Sequence, residues 1–85
     1  MAVTKILDHI EAVIERLEIG CVLPANTPDV LDRAMEAARG GELTHAMGLI
    51  NPFLTLPPGP AIEAPRPDAK RLRTRLETLR KVLVA

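Results

Sequence analysis

Glu42-Leu43-Thr44-His45 places a carboxylate and an imidazole one helical turn apart, the spacing by which a helix offers two ligands to a metal ion. A carboxylate-bridged metal pair needs further acids on facing helices and usually a second copy of the motif. Here the motif occurs once, at the start of an expected helix, and so short a pattern arises readily by chance. Cys21, His9 and His45 are the other residues suited to nucleophilic or proton-transfer chemistry. A Cys–His pair requires contact, a group that orients the imidazole, and surroundings that favour the thiolate. Gly20-Cys21-Val22-Leu23 supplies none of these and reads as a small thiol among apolar neighbours. No set of catalytic roles can be filled from these residues, so the expectation is a chain without enzymatic activity, cofactor or metal.

The densest chemistry is the basic stretch RPDAKRLRTRLETLRKVLVA, residues 66–85. Ala69, Leu72, Leu76, Leu79 and Leu83 follow alternating three- and four-residue steps, which predicts a helix with a narrow apolar seam. Arg73 and Arg80 line one flank of that seam; Arg71 and Arg75 approach the other. Two such seams facing each other would oppose guanidinium groups, so an acid-flanked counterpart is preferred. Glu11 and Glu18 on the first predicted helix border the face that an antiparallel neighbour would present to Arg73 and Arg80, so the last helix is expected to pack on the first helix of its own chain or of a second copy. Leu72, Leu76, Leu79 and Leu83, with Arg73 and Arg80 selecting an acidic counterpart, are therefore the candidate partner-binding residues.

Arg71, Arg73, Arg75, Arg80 and Lys81 could instead follow a phosphate backbone, which makes a nucleic-acid-associated regulator the alternative. Three features weigh against it. Formal net charge is zero, no aromatic residues interleave the basic ones, and the third predicted helix carries no arginine or lysine to read a groove. Attachment to a membrane surface is disfavoured too, because the apolar side is narrow and lacks bulky interfacial anchors.

These residues must be positioned by helices. Val3, Ile6, Ile10, Val13 and Leu17, broadened by Leu7 and Ile14, define an amphipathic helix over about 4–19 that Gly20 stops. Asp8, Glu11, Glu15 and Glu18 fall on its polar side. Asn26 or Thr27 is placed to cap a second helix, 28–39, with Pro28 in its first turn, Asp29 beside it, and Gly40-Gly41 after its end. A third helix, 42–50, is expected to end at Asn51-Pro52 and is weakened by Gly48. Six of the eight prolines lie between Pro52 and Pro67, so residues 51–67 read as a semi-rigid extended linker. Within it, Pro57-Pro58-Gly59-Pro60 has a Pro-x-x-Pro spacing that any proline cluster produces. The fourth helix is expected over 68–85, begun by Pro67-Asp68.

Together these elements predict a single all-α domain, a small four-helix bundle-like unit with a proline-rich crossing segment before its C-terminal helix. At 85 residues, with Phe53 as the only aromatic, the chain must build its core from many aliphatic contacts. That limit predicts a homodimer, a protein partner with an acid-flanked apolar surface, or both. Acids outnumber bases eight to four over residues 1–60, and bases outnumber acids seven to three over residues 61–85, a division that two complementary helices explain. One cysteine excludes an intramolecular disulfide and suits a reducing cytoplasm, and no apolar run is long enough to span a bilayer. The expected role is a non-catalytic protein-interaction module: an adaptor, an assembly- or secretion-type chaperone, or a small regulatory subunit.

Overall fold

The computed structural model describes residues 2–21, 23–55 and 66–84. It is an all-α domain of four helices: α1 Val3–Glu18, α2 Thr27–Arg39, α3 Leu43–Leu54 and α4 Ala69–Leu83. The proline-rich crossing segment and its Pro57–Pro60 motif lie outside the described residues.

The apolar stripe of α1 dictates the centre of the fold. Ile6, Leu7, Ile10, Val13, Ile14 and Leu17 repeat at helical spacing and are all buried. Against them pack Leu31, Ala34, Met35 and Ala38 of α2, Ala46, Ile50 and Phe53 of α3, and Ala69, Leu72, Leu76 and Leu79 of α4. The alanines of α2 and α3 let the backbones approach where no large side chain intervenes.

Two helix ends follow one design. Gly20 and Gly41 adopt φ of 80° and 81°, a conformation that costs other residues steric strain. Around Gly20, the Cys21 amide donates to the Arg16 carbonyl at 2.9 Å and the Gly20 amide to Leu17 at 3.2 Å. Around Gly41, the Glu42 amide donates to Ala37 at 2.9 Å and the Gly41 amide to Ala38 at 3.1 Å. Each pair of bonds closes a Schellman stop and satisfies carbonyls that the helix leaves without a partner.

The start of α2 departs from the expected capping. Neither Asn26 nor Thr27 caps an amide with its side chain. The Thr27 hydroxyl is fully buried and donates backward to the Pro24 carbonyl at 2.6 Å, satisfying itself against the preceding turn.

The end of α3 requires a larger correction. The helix does not stop at residue 50 but runs through Asn51 and Pro52 to Leu54. Proline removes a single donor, and this far along the helix little ladder remains to be broken. Continuation carries the stripe Ala46, Ile50, Phe53 onward and buries the chain's one aromatic ring. A guanidinium nitrogen of Arg16 donates to the Phe53 carbonyl at 3.0 Å, so α1 closes the terminus of α3. The linker therefore cannot start at residue 51.

Ion pairs fix the direction of α4. Arg73 meets Glu11 and Glu18 while Arg80 meets Asp8, so α4 runs antiparallel to α1. Arg71 meets Asp32 and Arg75 meets Glu36, so it runs parallel to α2. The leucine seam thus closes onto its own chain and needs no second copy to cover it. Among the described residues, no helix is long and apolar enough to cross a membrane.

Candidate partner-binding groove

Helix α4 turns its arginines onto carboxylates of the same chain. Arg73 donates from Nε and Nη2 to the two oxygens of Glu18, and from Nη1 to Glu11 Oε1 at 2.9 Å. Glu11 and Glu18 stand two turns apart on one face of α1, so one planar fork spans both. The hydrogen bond from Arg73 lowers the Glu18 carboxyl below its ordinary value, against the opposing effect of desolvation. The same bond holds the Arg73 guanidinium still more firmly protonated. Arg80 Nη2 donates to Asp8 Oδ1 at 2.9 Å and lies 3.6 Å from Glu11. On the opposite flank, Arg71 and Arg75 share Asp32, at 3.1 and 2.8 Å, and Arg75 also reaches Glu36 at 3.2 Å.

This arrangement revises both sets of candidate residues. Leu72, Leu76 and Leu79 expose 0%, 1% and 6% of their surface, so they are core and present no seam to a partner. Leu83 is partly buried against that core. Arg73 and Arg80 meet an acidic counterpart, as the spacing implied, and it is α1 of the same chain, one of the two neighbours expected. For the nucleic-acid alternative, phosphates would have to compete for Arg71, Arg73, Arg75 and Arg80 with carboxylates already in place. Lys81 alone of that set is exposed and without an ion pair among the described residues.

The surface left open lies where the α2–α4 ladder of charges runs out. Asp32 and Glu36 of α2 occupy its first two rungs; the next residue on that face is Arg39. Across the cleft Arg39 shares the lining with Thr78 and Val82 of α4 and, among the described residues, with no acid. Met35, Arg39, Arg75, Thr78, Leu79 and Val82 line a hollow of about 250 Å³ between the C-terminal halves of α2 and α4. Met35 and Leu79 form its buried apolar floor, whereas Val82 keeps 66% of its surface exposed on one wall. Arg39 is exposed and has no ion pair among the described residues. Val84, two residues past Val82, is also exposed.

Val82 and Arg39 were not singled out by spacing, because Val82 lies off the leucine seam and Arg39 looks like any basic residue in a helix's last turn. The available signal was relational: a valine on the flank where Arg71 and Arg75 find acids, set against a stretch of α2 whose acids have ended.

Two further hollows lie against α3. Glu42 and His45 join Arg33, Glu36, Ala37, Gly40 and Leu49 around a polar depression between α2 and α3. Among the described residues, no three His, Cys, Asp or Glu side chains gather to hold a metal ion. Pro24, Asn26, Val30, Gly48, Leu49, Pro52 and Phe53 border a third, beside the end of α3. Cys21 is buried at the end of α1. Comparison of the chain with protein-family models, with curated proteins and with solved structures returns no match.

Proposed function

We propose that this domain is a non-catalytic protein-interaction module, an adaptor, assembly- or secretion-type chaperone or small regulatory subunit, that receives an apolar side chain of a partner in the α2–α4 groove. The observation that carries this reading is Val82: a large aliphatic side chain two-thirds exposed beside a floor of Met35 and Leu79, on a helix that buries Leu72, Leu76 and Leu79. Exposed aliphatics that border a concavity mark contact surfaces more often than isolated ones do. Helix-in-groove recognition uses this geometry, with one or two apolar anchors set between helices. A hollow of about 250 Å³ falls below the usual size of small-molecule and cofactor pockets, which favours a side-chain anchor.

Site-specific photo-crosslinking in the native cell tests this. A photoreactive residue at position 82 should yield a discrete protein adduct that the same residue at Lys70, on the outer face of α4, does not. Identical adduct patterns from both positions would refute the assignment.

A further inference from the structure

We infer that the natural occupant of the α2–α4 groove is an amphipathic helix of a different protein, one that pairs a large apolar anchor with a carboxylate about one turn away. This rests on the groove being the contact surface and adds the chemistry of what fills it. Charge complementarity along the groove selects this occupant. Along the α2–α4 seam every arginine of α4 finds an acid: Arg71 and Arg75 share Asp32, and Arg75 also takes Glu36. The rung formed by Arg39 is reversed, with the cation on α2 and, among the described residues, no anion facing it from α4. The residues opposite, Thr78 and Val82, are uncharged, and Arg75 is already engaged. A carboxylate arriving with an apolar neighbour would complete the ladder at Arg39 while the neighbour covers Met35, Leu79 and Val82.

A second copy of this chain fits less well. Two grooves related by a two-fold axis present the same patch to each other, and that patch holds two cations, Arg39 and Arg75, and, among the described residues, no carboxylate to answer them. For a head-to-tail copy, the one other large apolar side chain strongly exposed among the described residues away from this end is Ile19. Ile19 is a lone residue at the end of α1, without a following turn to supply further anchors, and the carboxylate of neighbouring Glu18 is held by Arg73.

The test is a display library of helical peptides randomised at anchor and flanking positions, selected on wild-type protein and on Arg39→Glu. Circular dichroism verifies that the variant is folded, and Arg39→Gln serves as a second, neutral variant. Wild type should enrich helices with a large apolar residue and Asp or Glu three or four positions away. Arg39→Glu should exchange that acid for Lys or Arg, and Arg39→Gln should lose the charge preference. Replacing the acid of an enriched peptide by lysine should weaken wild-type binding by about tenfold or more, the scale of a charge-assisted hydrogen bond. Methyl resonances of Met35, Leu79 and Val82 should shift on binding. Enrichment of acid-free helices that still shift those methyls overturns the inference and leaves the groove as contact surface. Failure to enrich any helix overturns both. Concentration-dependent self-association of wild type that Arg39→Glu abolishes would assign the groove to a second copy and overturn the inference.

Discussion

Arg73 serves two acids on a neighbouring helix, and its effect depends on their ionisation. The folded-state pKa of Glu18 lies below its unfolded value near 4.5 because the charged carboxylate accepts hydrogen bonds from Arg73. A carboxyl whose pKa falls on folding stabilises the native state fully above the unfolded value, and that contribution is lost as pH drops through the folded value. Thermal melts should therefore show a fall in midpoint below about pH 4.5, and Glu18→Gln should show a smaller fall. Both partners keep access to water, so the difference should be about 1 kcal/mol or less. Equal acid sensitivity in the two proteins would mean that the pair contributes nothing. The pairing of Glu11 and Glu18 with Arg73 was legible in sequence because all three border apolar stripes whose periods were clear. Asp32 and Glu36 were not anticipated as partners of Arg71 and Arg75, since the sequence does not reveal that α2 lies on the other flank of α4.

The helices themselves show why ends are harder to read than faces. Apolar spacing located all four elements, and the glycine stops of α1 and α2 fell where expected. Pro52 misled because proline's cost is local, whereas burial of Phe53 is a gain that only tertiary packing supplies. The glycines allow an opposed pair of measurements. Gly41→Ala forces a Cβ onto a φ of 81° and should destabilise by about 1 kcal/mol. Gly48→Ala lies inside α3, where nothing within 4 Å would meet the new methyl group, and should stabilise by about 0.5–1 kcal/mol. Urea unfolding of the two variants checks both signs. A loss at Gly48 would show that α3 is held less regularly than its geometry implies.

For the whole molecule, the decisive fact is that α4 completes the core. Leu76 is 1% exposed, and Leu76→Ala should cost about 2–5 kcal/mol, a large share of what a small domain possesses. Because the seam closes within one chain, the urea midpoint of wild type should stay constant over about a hundredfold range of protein concentration. A midpoint that rises with concentration would place part of the stabilising surface between copies. Fold class could be read from the sequence because it depends on how many amphipathic stripes there are and how they repeat. The groove could not, because a cleft between two helices depends on where each ends relative to the other.

The last of the four helices to be synthesised is the one that packs its leucines onto the apolar faces of α1 and α2. On the ribosome, then, the first three helices emerge with a hydrophobic trough lacking its cover, and the trough stays sticky until Leu79 clears the exit. A message truncated within α4 would yield a chain prone to aggregate rather than a shortened working domain.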